Sequence, residues 1–134
     1  MFSHVNVGCS DLDRASAFYD AVLSCIGLVR RDVEPDGGPP IACWVQPGTS
    51  LPRFFVCLPF NEQPASAGNG SMVAFKAMSR EAIDNAHAAG LKAGGSCEGA
   101  PGLRTHYAAD YYGAYLRDPD GNKIHLVHRD YFNE

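Results

Sequence analysis

The chain has 134 residues, of which 46% are hydrophobic and 19% are charged, and its formal net charge at pH 7 is -4. Such a chain is long enough for one folded domain and too apolar for a disordered segment. The acidic balance argues against nucleic acid as a partner, because nucleic-acid-binding proteins carry basic patches. No apolar run reaches the ~18 residues that a membrane span needs, and the first residues do not resemble a secretory signal. The five cysteines are widely spaced and form no Cys-x-x-Cys pair, which predicts reduced thiols and a cytoplasmic protein.

The first sixty residues predict a strand, a helix and three further strands. Residues 2–9 alternate between apolar and polar side chains, as a half-buried strand does. Ser10 is a predicted N-cap, and apolar residues then recur at helical spacing until Gly27 ends the helix. The three strand-like runs that follow are 28–33, 41–46 and 53–58.

The same order of elements recurs in the second half. Residues 71–77 read as a strand, Ser79 as an N-cap, and 81–89 as a helix closed by Gly90. The extended runs that follow lie near Lys92, at 111–117 and at 123–128. When the two halves are superimposed, Trp44 falls over Tyr115.

We therefore predict one α+β domain, residues 1–134, built from two βαβββ modules. Module 1 covers about 1–61 and module 2 about 71–134, joined by a linker at 62–70 that is rich in small and turn-forming residues. Helices should cover one face of two curved sheets, and the opposite faces should surround a cleft. Because side chains alternate along a strand, His4 and His125 should face this cleft.

Both ends of the sequence carry a family resemblance. The segment 111–126 contains an aromatic strand, the turn Asp118-Pro119-Asp120-Gly121-Asn122 and a closing strand, and the chain opens with His4-Val5 before a predicted helix. In this arrangement the chain resembles the vicinal oxygen chelate superfamily, which comprises glyoxalases, bleomycin-resistance proteins and extradiol dioxygenases. The resemblance covers the whole chain and implies that fold, a small-molecule substrate or ligand, and a homodimer.

The resemblance also implies a divalent metal ion, such as Zn²⁺, Fe²⁺ or Ni²⁺, in the enzymes of the family. Their ligands are a His or Gln on the first strand, often a carboxylate on the fourth, a His on the fifth and a Glu on the eighth. The corresponding residues here are His4, Cys57, Met72 and His125. His4 matches, whereas the expected second His is a Met and the expected Glu is a His. His4 and His125 are thus the candidate metal ligands, and the missing carboxylates disfavour hard ions.

Other residues are candidates for contact with a substrate. Trp44 and Tyr115 are predicted to face the cleft, where aromatic rings could hold a planar ligand, and Arg117 and Lys123 flank the last hairpin, where they could meet an anion. His106 and Tyr107 lie in a loop before that hairpin and are candidate acid–base residues. The predicted substrate site therefore consists of six residues: Trp44, Cys57, Met72, Tyr115, Arg117 and Lys123.

Two functions from different classes follow. The first is a small-molecule enzyme of the glyoxalase or dioxygenase type, metal-assisted, acting on a substrate with vicinal oxygens. The second is a metal-free binding or resistance protein that sequesters a small aromatic or cationic ligand in the same cleft. A module with a vestigial cleft remains a third interpretation, because a fold does not fix a function.

Overall fold

The computed structural model describes residues 1–133. Module 1 consists of β1 (His4–Gly8), α1 (Leu12–Ser24), β2 (Val29–Arg31), β3 (Ile41–Val45) and β4 (Arg53–Cys57). Module 2 consists of β5 (Val73–Lys76), α2 (Arg80–Lys92), β6 (Ser96–Leu103), β7 (Tyr112–Arg117) and β8 (Lys123–His128), followed by a short 3-10 helix, Asp130–Asn133. The predicted α+β class with two βαβββ modules is confirmed. Within residues 1–133, no helix is long and apolar enough to cross a bilayer.

Each module forms its own four-stranded mixed sheet. Sheet A has the strand order β1-β4-β3-β2 and sheet B the order β5-β8-β7-β6. In both sheets the first and last strands of the module pair in parallel, while the other pairs are antiparallel. The two modules therefore repeat the same topology.

The strand registers show which residues of the two sheets are equivalent. Phe55 pairs with Cys43 in sheet A, and His125 pairs with Tyr115 in sheet B. Phe55 and His125 also occupy corresponding places on β4 and β8, because they pair with Asn6 and Ala74. Cys43, and not Trp44, is thus the counterpart of Tyr115. The predicted superposition was wrong by one residue, which moves a side chain to the other face of the sheet.

A single hydrophobic core joins the two modules. It contains buried residues of both helices and of the helix-covered sides of both sheets, for example Tyr19, Ile83, Phe54 and Leu116. The helices pack closely against each other, because a Cβ on Gly90 of α2 would lie 3.0 Å from the Val22 side chain of α1, and it would also lie 2.8 Å from Leu116 of β7. The opposite sides of the two sheets, called here the helix-free faces, do not belong to this core.

Ser79 is the N-cap of α2 as predicted, and its hydroxyl accepts a hydrogen bond from the Ala82 amide. The other helix ends differ from prediction, because tertiary contacts change the capping residues. Asp11, not Ser10, is the N-cap of α1, and its side chain accepts a hydrogen bond from the Arg14 amide. Ser10 instead donates through its amide and hydroxyl to Asp120 of the last turn, at 2.9 and 2.7 Å. Helix α2 continues through Gly90 to Lys92, since the close packing with α1 favours a residue without a side chain inside the helix. The extended run predicted near Lys92 was therefore wrong, and strand β6 begins at Ser96.

The turn between β7 and β8 fixes the orientation of the last hairpin. Asp118 is buried and accepts hydrogen bonds from the amides of Asp120 and Asn122, both at 2.9 Å. It also accepts a hydrogen bond from the Tyr19 hydroxyl at 2.7 Å, which ties the turn to α1. Gly121 has φ 89°, a left-handed conformation that favours glycine. This turn is a structural connector and positions β8 with its central residue, His125.

Candidate functional site

Five rings gather on and beside the helix-free face of sheet B. They form the aromatic cluster, which consists of His106, Tyr107, Tyr111, Tyr115 and His125. The imidazole of His125 lies nearly parallel to Tyr115, with ring centroids 4.1 Å apart and an interplanar angle of 10°. The Tyr111 ring is also nearly parallel to the His125 ring, with centroids 5.7 Å apart and an interplanar angle of 11°. Tyr107 contacts Tyr111 at 5.0 Å, and His106 contacts Tyr107 at 4.1 Å.

Both nitrogens of the buried His125 ring are engaged in hydrogen bonds. Nδ1 lies 2.9 Å from the carbonyl oxygen of Ala114, which can only accept, so Nδ1 carries the proton. Nε2 lies 2.7 Å from the Tyr111 hydroxyl. Burial lowers the pKa of His125, so the ring is neutral near pH 7 and Nε2 accepts a hydrogen bond from the Tyr111 hydroxyl. The imidazole is thus fixed in one tautomer and one orientation.

A close backbone approach makes room for this imidazole. A Cβ placed on Gly113 would lie 2.6 Å from Cε1 of His125 and 3.1 Å from the carbonyl oxygen of Leu126. The equivalent residue in sheet A is Ile41, because Gly113 pairs with Val127 where Ile41 pairs with Cys57. Sheet B therefore has glycine where sheet A has a branched side chain.

Two cations lie over the Tyr115 ring without a carboxylate partner. Lys123 Nζ is 5.1 Å from the ring centroid and the Arg104 guanidinium is 5.7 Å away. Among residues 1–133, no carboxylate lies within ion-pair distance of either cation, whereas Arg117 pairs with Glu98 at 2.9 Å. Burial and a hydrogen bond with Tyr107 raise the pKa of Tyr115 to about 12, so its phenol stays neutral. The face therefore carries positive charge next to neutral rings.

The helix-free face of sheet A is different in character. His4 and Phe55 meet edge to face at 5.5 Å, and the Cys57 thiol donates to Oδ1 of Asn6 at 3.3 Å. Burial raises the pKa of Cys43, while the positive charges of Arg53 and Arg31 oppose this. A pocket of about 490 Å³ opens beside Asn6 and Cys57, and a pocket of about 790 Å³ lies next to it between residues 37–40 and 58–65.

Trp44 is not on this face, so the prediction that it lines a cleft was wrong. Its ring is buried in the core, 5.7 Å from the Tyr19 ring, and its indole N–H donates to Asp20 of α1 at 3.0 Å. The guanidinium of Arg30 on β2 lies over the indole, with its Cζ 5.5 Å from the ring centroid. Trp44 thus stabilises the contact between α1 and sheet A.

The structure brings together only some of the predicted site residues. His106, Tyr107, Tyr115, Lys123 and His125 lie in or against the aromatic cluster. His4 and Cys57 lie on the other sheet, Met72 is exposed just before β5, and Arg117 is neutralised by Glu98.

Sequence reasoning did not single out Tyr111 and Arg104. Tyr111 shares the alternation of Gly113 and Tyr115 and could have been found by that signal, whereas Arg104 is placed by a loop.

Comparison with known proteins agrees with this architecture. The family model of the Glyoxalase/Bleomycin resistance protein/Dioxygenase superfamily matches residues 1–126. A glyoxalase/bleomycin resistance protein from Albidiferax ferrireducens T118 is 45% identical, with a TM-score of 0.80 over 96% of this chain and 98% of that one. The chain belongs to this superfamily.

More distant members of the superfamily share the fold. A family enzyme from Burkholderia phytofirmans PsJN is 21% identical, with a TM-score of 0.70 over 95% of this chain and 97% of that one. A glyoxalase I mutant (E144Q) from Zea mays is also 21% identical, with a TM-score of 0.64, and the match covers 94% of this chain but 44% of that one. No functionally curated protein matches the chain.

The residues at the four metal positions of the superfamily do not fit its divalent ion. The lone pair of His125 Nε2 already accepts the Tyr111 hydrogen bond, and Met72 offers a thioether, a poor ligand for hard ions. The Cys57 thiol donates a hydrogen bond to the Asn6 side chain, and none of the four residues is a carboxylate. Among the described residues, no three His, Cys, Asp or Glu side chains converge.

Proposed function

We propose that the protein binds a small planar anion on the aromatic cluster of sheet B, without a metal ion held by the four family positions. The observation that carries this proposal is the row formed by Tyr111, His125 and Tyr115, with Arg104 and Lys123 over the outer ring. His125 itself is buried, so the aromatic surface open to a planar ligand is that of the exposed Tyr107 and the half-buried Tyr111 and Tyr115 around it. The two cations without carboxylate partners favour a negative charge on the ligand.

We further infer that a second copy of the chain completes the site. Among the described residues, no hydrogen bond, ion pair or ring contact joins the helix-free faces of sheets A and B within one chain. Large apolar side chains near both sheets are exposed, including Phe2, two residues before β1, at 80% and Tyr107 of the aromatic cluster at 57%. Such exposure is typical of an interaction surface. Sheet A of one copy opposite sheet B of the other would add Arg31 and Arg53 to the anion site.

The biological role we propose is binding or sequestration of this anion, as in the resistance branch of the superfamily. An enzyme of the glyoxalase or dioxygenase type, acting on a substrate with vicinal oxygens, is the second candidate. The observation that favours it is His4, which is exposed and whose Nε2 has no hydrogen-bond partner among the described residues. An imidazole with a free nitrogen suits both proton transfer and ligation.

The direct test of the proposal is calorimetric titration with 2-naphthoate in the presence of a chelator, with neutral 2-naphthamide as the matched ligand. We expect naphthoate to bind and the amide to bind about tenfold more weakly, because only the anion meets Arg104 and Lys123. Tyr115→Ala and Lys123→Gln should each weaken naphthoate binding, whereas Lys92→Gln, at the end of α2, should not. Binding that needs added Zn²⁺, Fe²⁺ or Ni²⁺ would favour the metalloenzyme instead.

The second copy is tested by mixing two binding-deficient variants, Arg53→Gln on sheet A and Tyr115→Ala on sheet B. If each site combines sheets from different copies, mixed dimers contain one intact site and naphthoate binding returns in part. If each site lies within one chain, mixing restores nothing. Sedimentation of the wild type over a range of concentrations gives the oligomeric state independently.

A further inference from the structure

A thiol and an imidazole meet on the helix-covered side of sheet B, away from the aromatic cluster. Cys97 lies near the start of the edge strand β6, and its Sγ is 3.3 Å from Nε2 of His87 on α2. The His87 residue is only 7% exposed, whereas Cys97 is exposed to solvent. Burial lowers the pKa of His87, partly offset by the Asp84 carboxylate, so its imidazole is neutral near pH 7. A neutral imidazole nitrogen is a base within hydrogen-bond distance of an accessible thiol.

The other four cysteines have different surroundings. Cys9 and Cys43 are buried, and burial raises the pKa of both thiols. Cys25 and Cys57 are half-buried and donate to a backbone carbonyl and to the Asn6 amide oxygen, both at 3.3 Å. An amide oxygen does not take a proton from a thiol near neutral pH. Among the five thiols, Cys97 alone combines exposure with a partner that can act as a base.

We propose that Cys97 is a covalent modification site for soft electrophiles of the α,β-unsaturated carbonyl class, with His87 as its general base. In the reaction the sulfur forms a bond to the β-carbon, and the π electrons of the C=C bond move toward the carbonyl. The thiol proton passes to Nε2 of His87 and is then returned to the α-carbon. The addition is complete without a leaving group or a further reactant. A nucleophile activated by an adjacent base is a common arrangement for thiol chemistry.

The test is the rate of alkylation by N-ethylmaleimide at each cysteine of the native protein, measured by peptide mass spectrometry. Cys97 should react faster than Cys25 and Cys57. His87→Gln should lower the rate at Cys97 by about tenfold or more, because the general base is lost while the exposure of the thiol is kept. The rate at Cys57 in the same variant serves as the internal control of folding. An unchanged Cys97 rate in a folded His87→Gln variant would overturn the proposal.

A second measurement does not depend on a variant of a buried residue. Nitrogen-15 NMR of the wild-type imidazoles reads the tautomer of His87. We expect the proton on Nδ1, with Nε2 accepting from the thiol, and a change in the Nε2 resonance in Cys97→Ser. A proton on Nε2 would mean that the imidazole donates to sulfur and cannot act as its base, which contradicts the proposal.

Discussion

Sheets A and B have the same strand order but carry different chemistry on their helix-free faces. The centre of sheet A is Phe55, with Cys43 and Asn6 beside it, whereas the centre of sheet B is His125, with Tyr115 beside it. Trp44 of β3 faces the core, whereas Tyr115 of β7 faces away from it. A repeated topology therefore does not repeat a site, and a shift of one residue along a strand decides whether a side chain stabilises the fold or meets a ligand.

The largest effect that tests this difference is on stability. Trp44→Ala should lower the free energy of unfolding by about 3–5 kcal/mol, the usual cost of removing a fully buried aromatic side chain. Tyr115→Ala should cost clearly less, because that ring is only half-buried. Urea denaturation of both variants measures the two values. Equal losses would contradict the assignment of the two residues to opposite faces.

An intermediate effect is expected where Gly113 makes room for His125. Gly113→Ala would place a methyl group against the imidazole, so the ring must move and the hydrogen bond with Tyr111 is lost. We expect naphthoate affinity to fall about tenfold and stability to fall by about 1–3 kcal/mol, as is usual for overpacking. Ile41→Ala, at the equivalent place in sheet A, is the control for stability. Unchanged naphthoate binding in Gly113→Ala would show that the orientation of His125 is not important for the site.

The sequence was sufficient for the fold but only partly for the site. The two module patterns and the Asp118–Asn122 turn predicted the architecture, since periodicity and turn chemistry are local properties. Trp44 was misplaced because the register of β3 depends on its pairing with β4, which is a tertiary property. The engagement of both His125 nitrogens could not be predicted either, because the fold brings Tyr111, just before β7, and the Ala114 carbonyl of β7 to this ring.

The smallest effect concerns pH. Burial lowers the pKa of His125 and of His87 in the folded chain, so the unfolded chain takes up protons first as the pH falls below its ordinary histidine pKa of about 6.5. The stability that the neutral rings contribute is complete above that pH and decreases as the pH falls toward the folded-state pKa. We expect His125→Gln to reduce the slope of stability against pH between about pH 7 and 5. An unchanged slope, measured by urea denaturation, would contradict the burial of a neutral ring.

The most direct test of the central claim is nitrogen-15 NMR of His125, before and after addition of one equivalent of Zn²⁺. If the imidazole is part of an anion-binding surface, Nδ1 carries the proton, Nε2 accepts from Tyr111, and neither resonance changes with the metal. Tyr111→Phe should then shift the Nε2 resonance by removing its hydrogen bond. An Nε2 resonance that moves to the metal-coordinated range in the wild type would contradict the account and return His125 to the role of a metal ligand.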